Sequence, residues 1–257
     1  MTSKTKERVL VVIPARWASS RFPGKALADL GGCPLVVRTA ENATRMATAD
    51  RVVVATDDQR IFDAVTKAGL EAVLTGDHPT GTDRVGEVAR QDSADIVLNL
   101  QGDEPLLDPA DADSLVGALR DDPLADLVTC GHTFATEADW RDPNQVKVLV
   151  GAQGRALSFS RAPIPGMFPG GAAEAREPWR LALRHVGIYG FRRPALLRFL
   201  DLAPTPLEGC EGLEQLRALE HGMRIVVTTL AAAPVGVDTP QDLETVRRLW
   251  ATTGIGK

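Results

Sequence analysis

Five consecutive aliphatic residues at 9–13 run straight into Pro-Ala-Arg-Trp-Ala-Ser-Ser-Arg-Phe-Pro-Gly-Lys at 14–25, and this junction constrains the fold more than any other stretch. An unbroken apolar run of that length suits a strand buried on both faces of a parallel sheet, and Pro14, which has no N–H to donate, is expected to end it. The small residues Ala15, Ala18, Ser19, Ser20 and Gly24 let backbone N–H groups approach an anion, while Arg16, Arg21 and Lys25 supply charge. Open α/β sheets place ligands at the carboxyl ends of such strands, so the loop reads as a phosphate cradle; an ordinary strand-to-helix turn with solvated cations fits the same residues. Two familiar phosphate motifs are excluded. Ser19 and Ala26 stand where a P-loop needs Gly and Ser or Thr, and no Gly-x-Gly-x-x-Gly opens a helix.

Strand and helix signals alternate through the first half. Strands are expected at 9–13, 51–55, 71–74 and 96–100, separated by helices at 34–46, 58–68 and 82–90, the pattern of an α/β fold with short connections. The second half is less regular, with strands at 127–130, 146–150, 185–191 and 224–230 and helices at 209–221 and 240–250. Between them, 162–180 begins with Pro163, Pro165, Gly166, Pro169, Gly170 and Gly171, which exclude a helix or central strand there and make the segment a loop or lid. No linker or repeat separates independent domains, so residues 1–257 are read as one domain with a flexible start at 1–8.

Composition narrows the function. The chain has 257 residues, 44% of them hydrophobic, enough to bury a core without staples. A net charge of −5 argues against a general nucleic-acid binder and confines any useful cations to a site. Cys33, Cys130 and Cys210 are odd in number and unpaired in spacing, and neither they nor the four histidines show metal-type spacing. The polar start, with no signal peptide or membrane span after it, makes a cytoplasmic enzyme the expectation.

Two acidic turns complete the set of candidate groups. Asn-Leu-Gln-Gly-Asp-Glu-Pro at 99–105 places Asp103 and Glu104 just past a strand end, where a carboxylate suits a Mg²⁺ ion bound to nucleotide phosphates; a plain turn whose Asp hydrogen-bonds its own backbone fits the same residues. Gly-Val-Asp-Thr-Pro at 236–240 follows the last strand; Asp238 reads either as a second metal ligand or as the N-cap of the helix that begins near Pro240.

The motifs already quoted, together with Gly-Asp-His-Pro-Thr-Gly-Thr-Asp-Arg (76–84), Pro-Asn-Gln-Val-Lys-Val (143–148), Phe-Ser-Arg-Ala-Pro-Ile-Pro (159–165), Arg-His-Val-Gly-Ile-Tyr-Gly (184–190) and Leu-Glu-Gln-Leu-Arg (213–217), resemble the 3-deoxy-manno-octulosonate (KDO) cytidylyltransferase family over essentially the full length. The resemblance implies a single-domain, nucleotide-diphospho-sugar-transferase-like α/β fold, Rossmann-like and three-layered, with a mostly parallel mixed sheet. It also implies a homodimer that uses CTP and Mg²⁺. Carried over by motif, Arg16 and Lys25 would hold the triphosphate, Ala15 would also bind the nucleotide, and Gln101 with the segment around Thr80, Gly81 and Arg84 would help recognise cytidine. Arg16, Lys25 and Asp103 would be catalytic, Asp103 and Asp238 would hold the metal, and Arg161, His185, Tyr189, Glu214 and Gln215 would line the pocket for an acidic acceptor.

The departures fall at the acceptor end. Gly209 stands where relatives usually carry His, and 166–171 reads Gly-Met-Phe-Pro-Gly-Gly, with few side-chain hydrogen-bonding groups for a polyhydroxylated sugar. KDO is the first expectation for the acceptor and a small phosphonate such as phosphonoformate the second. A non-catalytic nucleotide-binding role is disfavoured by the presence of Arg16, Lys25, Asp103 and Asp238 together.

Overall fold

The computed structural model describes residues 6–18, 21–168 and 177–253. Ser19 and Ser20 of the cation loop, residues 169–176 of the expected lid and the first five residues of the expected flexible start therefore lie outside the described residues. Contacts divide the chain into two compact units, Met1–Val116 with Pro234–Lys257, and Gly117–Ala233.

In the first unit β1 (Val9–Ala15) leads through a 3₁₀ turn at Lys25–Leu27 and a small hairpin, β2 (Asp29–Leu30) and β3 (Cys33–Pro34), into α1 (Leu35–Ala43). Then come β4 (Arg51–Thr56), α2 (Gln59–Lys67), β5 (Ala72–Leu74), α3 (Gly81–Arg90), β6 (Ile96–Asn99) and α4 (Pro109–Asp121), inside which the division between units falls. Four of the strands form a parallel array in the order β6-β1-β4-β5. Val9, Leu10, Val11, Val12 and Ile13 of β1 are essentially fully buried, as the apolar run requires. The chain moves outward from β1 to β4 and β5 and then returns to the far side of β1 as β6. This reversal is a topological switch point, and such sheets hold ligands in the crevice outside the carboxyl ends of the strands on either side of it. The loop after β1 and the acidic turn after β6 are the two that leave there.

β1 does not stop at Pro14 but continues to Ala15, with Pro14 opposite Ala55 of β4. The Val12 carbonyl faces β6, accepting the Leu100 N–H at 3.1 Å. Pro14, two residues on, presents its backbone to that same side, beyond the last β1–β6 pair at Val12 and Asn99, so its missing N–H costs no ladder bond. The helices start on side-chain caps: Asp58 accepts from the Arg60 N–H at 2.9 Å ahead of α2, and Thr80 from the Asp83 N–H at 3.1 Å ahead of α3.

The second unit contains β7 (Leu127–Thr133), α5 (Glu137–Arg141), β8 (Lys147–Val150), β9 (Ala156–Ser160), β10 (Ala182–Arg192), α6 (Arg193–Leu200), α7 (Pro206–Glu211), α8 (Gln215–Glu220) and β11 (Ile225–Thr229). β7 pairs parallel with β11 and antiparallel with β10, while β8 pairs antiparallel with both β10 and β9. The single helix expected at 209–221 is two helices. Gly212 takes a left-handed conformation, φ 61°, which ends α7, and the chain restarts at α8.

The last helix, α9 (Pro240–Thr253), belongs to the first unit, where Leu243, Val246 and Trp250 pack with Leu30, Leu35 and Val237. The α/β expectation is borne out, with mixed and mostly parallel strand pairing. Among the described residues no helix is long and apolar enough to cross a membrane.

Candidate active site

In the first unit a cavity of about 290 Å³ is lined by the end of β1 (Pro14, Ala15), the cation loop (Arg16, Arg21, Lys25, Ala26), the entry to α3 (His78, Thr80, Gly81, Arg84), the turn after β6 (Gln101, Gly102, Asp103) and Asp238. Every nucleotide and metal position expected from the sequence is among them. Arg21, noticed in the sequence only as loop charge, also belongs here, and so does His78, which spacing alone could not single out.

Close backbone approach builds this cavity. A Cβ on Gly102 would lie 3.1 Å from the Pro14 carbonyl oxygen, so the acidic turn can sit directly on the end of β1. The Val237 N–H donates to the Asp103 carbonyl at 2.9 Å, clipping the two acidic turns together. The cation loop is closed by Gly24, at φ 73°, whose N–H donates to the Trp17 carbonyl at 3.0 Å and whose missing side chain makes room for the Trp17 ring. That ring is covered on its face by the Arg60 guanidinium, 3.5 Å from its centroid.

Asp238 is not the cap of α9. Thr239 and Asp242 form that cap reciprocally: the Asp242 N–H donates to Thr239 Oγ1 at 3.2 Å, and the Thr239 N–H donates to Asp242 Oδ2 at 2.8 Å. The Asp238 carboxylate is thereby released toward the cavity, where Arg21 reaches Oδ2 at 3.0 Å and Lys25 reaches Oδ1 at 3.2 Å. Lys25 Nζ also donates to Asp103 and, at 3.0 Å, to the Val237 carbonyl. Two carboxylates from distant parts of the chain thus converge on one ammonium. Beside them, burial together with the charges of Asp103 and Asp238 pushes the Glu104 carboxyl up to about 8, and its Oε2 is buried without a hydrogen-bond partner. Among the described residues no three His, Cys, Asp or Glu gather as a ready-made metal centre.

Arg84 is buried, 2% exposed. Its guanidinium is engaged within the protein, with Thr75 Oγ1, with the Gly76 carbonyl at 3.2 Å and with Asp57 at 2.5 Å. It braces the loop before α3.

The expected acceptor residues all lie in the second unit. His185, Tyr189 and Gln215 form a chain of contacts: the His185 and Tyr189 rings lie 5.6 Å apart, and the Tyr189 hydroxyl donates to Gln215 Oε1 at 3.2 Å. A bulge in β10, where the pairing with β7 jumps between Val186 and Tyr189, aims these side chains. The Thr129 hydroxyl fills that bulge, donating to the Ile188 carbonyl at 2.8 Å and lying 2.9 Å from His185 Nε2. Desolvation, with Phe159 and Tyr189 against the ring, pushes His185 down to about 3. Burial, with Glu214 nearby, raises the Tyr189 hydroxyl. Gln215 Nε2 is buried with no hydrogen-bond partner.

Arg161 is anchored separately. Its N–H donates to Glu211 Oε2 at 2.9 Å, its Nε to the Glu211 carbonyl at 2.7 Å and its Nη1 to the Pro143 carbonyl at 3.2 Å. Lys147, fully buried, donates to the Asp142 and Arg161 carbonyls at 2.7 and 2.8 Å and fixes the same segment from beneath. Gly209 is exposed on α7, with open space where a side chain would stand.

Comparisons with known proteins show what the chain is similar to. The family model described as cytidylyltransferase matches residues 10–225. A 3-deoxy-manno-octulosonate cytidylyltransferase of Verminephrobacter eiseniae (strain EF01-2) is 50% identical, the match covering 96% of each chain. The protein of that name from Geobacter sulfurreducens (strain ATCC 51573 / DSM 12127 / PCA) is 44% identical over 93% of this chain and 97% of its own. A solved structure of CMP:2-keto-3-deoxy-manno-octonic acid synthetase complexed with CTP is 44% identical and superposes with a TM-score of 0.88, covering 95% of this chain and 98% of that one. By the family model and by these relatives, the chain belongs to the cytidylyltransferase family.

Proposed function

We propose that this protein transfers the cytidylyl group of CTP to 3-deoxy-manno-octulosonate and releases pyrophosphate. The observation that carries the reading is the cavity at the switch point, where Arg16, Arg21 and Lys25 meet Asp103 and Asp238. The relatives' names and the CTP complex of the similar structure support the choice of nucleotide and acceptor.

In this reaction an acceptor oxygen bonds to the α-phosphorus while the bond from that phosphorus to the pyrophosphate oxygen breaks. Little covalent work falls to the protein; positioning and charge neutralisation dominate. Arg16, Arg21 and Lys25 neutralise the triphosphate and the departing pyrophosphate. Asp103 and Asp238 would hold Mg²⁺, a cation that takes one or two protein carboxylates and fills its remaining positions with phosphate oxygens and water. Bound there, the metal supplies Lewis-acid polarisation of the phosphate. That both carboxylates face one cationic group, the Lys25 ammonium, supports the fit. Arg161, His185, Tyr189, Glu214 and Gln215 are assigned to the acceptor, with the spare donor of Gln215 available to its polar groups.

We further propose a cytoplasmic homodimer. The exposed apolar side chains of Met167, Phe168 and Leu181 in the second unit support self-association, and light scattering reads it directly.

The test of function is pyrophosphate release with CTP and Mg²⁺ against a panel of KDO, sialic acid and phosphonoformate. Turnover with KDO that stops in EDTA is expected. A preference for phosphonoformate, or undiminished rates in EDTA, overturns the acceptor or the metal assignment respectively.

A further inference from the structure

The loop that enters α3 forms one wall of the nucleotide cavity, and it carries a contact that the charge chemistry of transfer does not use. His78 lines the cavity. Its Nε2 lies 2.5 Å from Glu87 Oε2, and the same carboxylate oxygen accepts the Gly76 N–H at 3.0 Å. Glu87 stands in the second turn of α3, so the helix reaches back to grip the loop that leads into it. Arg84 grips the loop from Thr75 and Gly76.

The cavity therefore offers two kinds of lining. Arg16, Arg21, Lys25, Asp103 and Asp238 supply charge for phosphates and a cation. Thr80, Gly81, Gln101 and His78 supply hydrogen-bonding groups, and the buried guanidinium of Arg84 is occupied within the protein. A nucleoside triphosphate needs both: its phosphates belong to the first set and its base to the second.

Contact with His78, assisted by the Gly76 N–H, holds the Glu87 carboxyl below the usual range despite some burial. An ionised carboxylate only accepts, so the histidine nitrogen facing it is the donor. In its neutral form the His78 ring then carries its proton on Nε2 and leaves a lone pair on Nδ1. We propose that His78 is a specificity-determining residue whose Nδ1 accepts a hydrogen bond from the exocyclic amino group of cytosine, and that Glu87 is the positioning residue that fixes the required tautomer. Uracil presents a carbonyl oxygen at that place. Two acceptors facing each other lose the bond and leave both groups desolvated, which is how a hydrogen-bonding site rejects an isostere. The inference rests on the CTP reading given above.

The experiment is steady-state kinetics with CTP and with UTP on the wild-type protein, His78→Ala and Glu87→Gln, with the acceptor held saturating and then varied. Glutamine keeps the size of Glu87, and with its amide nitrogen in the place of Oε2 it donates to His78 Nε2 and gives up the Gly76 N–H, so the tautomer is no longer fixed, while Tm reads whether the fold is spared. Both variants should lower the ratio of kcat/KM for CTP to that for UTP by about tenfold, through KM for CTP, with kcat and the acceptor KM nearly unchanged. An unchanged ratio in either variant overturns the proposal, and so does a parallel rise in the acceptor KM with a fall in Tm, which would mark a merely structural contact. A wild-type protein indifferent to CTP and UTP would instead sink the CTP reading and the proposal with it, an outcome visible before any variant is made.

Discussion

Lys25 bonds simultaneously to Asp103, Asp238 and the Val237 carbonyl, so each of these groups depends on the others for its charge balance. Asp103→Asn removes one carboxylate from the proposed metal site while leaving an acceptor oxygen for Lys25, and the turn keeps its backbone bonds. The expected outcome is a near-normal Tm with kcat lowered by roughly a thousandfold, the scale of losing an electrostatic contact made in the transition state. A rate within a factor of a few of wild type would reduce Asp103 to a turn residue. Gly24 makes a different demand. At φ 73°, with a would-be Cβ 2.8 Å from Trp17, Gly24→Ala meets both backbone strain and a ring held in place by Arg60. The loop must shift, and KM for CTP should rise with a stability loss of about 1–2 kcal/mol; unchanged KM would show that the loop's shape is immaterial to binding.

At the scale of elements, β10 shows how a local irregularity sets chemistry. Its bulge brings His185 against Phe159 and Tyr189 and holds it at Thr129, and the desolvated ring is kept neutral. Its folded-state pKa of about 3 lies below the ordinary value of 6.5 expected in the unfolded chain. Between those two values the unfolded state binds one proton more than the folded state, so stability rises with pH across the window and is lost as pH falls from about 6.5 toward 3. Urea unfolding of wild type and His185→Gln at pH 7, 5.5 and 4.5 isolates this contribution. The wild-type curve should be the steeper of the two, by at most about 1.4 kcal/mol per pH unit for one proton. Parallel curves would mean that the ring is protonated in the folded state too. α7 and α8 make a related point: the left-handed Gly212 ends the first, and Glu211, at its last residue, is thereby placed where it holds Arg161.

For the whole molecule, ligand binding should appear as stability. Saturating CTP with Mg²⁺ at about a hundred times its Kd adds roughly 2.7 kcal/mol, which for a chain of this size raises Tm by about 5–10 °C. Asp103→Asn should lose the Mg²⁺-dependent part of that rise and keep the part given by CTP alone. A rise that is identical with and without Mg²⁺ in the wild-type protein would remove the metal from the nucleotide complex.

The alternation of apolar strands and amphipathic helices, the cation loop after β1 and the acidic turn after β6 were legible in the residues, because buried parallel strands and the loops that leave them have strong local signatures. So was the family, through motifs spread along the chain. Other features had no local signature. Whether Asp238 capped α9 or faced the cavity depended on Thr239 and Asp242 forming the cap between themselves. That Pro14 could remain within β1 followed from where β6 ends, a fact about a strand more than eighty residues away. The occupation of Arg84 by Asp57, the grip of Glu87 on His78 and the full burial of Lys147 are likewise decided by contacts between segments, since a side chain's role is set by what tertiary packing leaves for it to bond. Sequence by itself determined the buried parallel strands of the first half, the loops that leave them and the charges they carry, but not the β2–β3 hairpin or β9, whose short runs have no strong local pattern; only the tertiary structure decided which charges face the ligand and which are consumed in holding the site together.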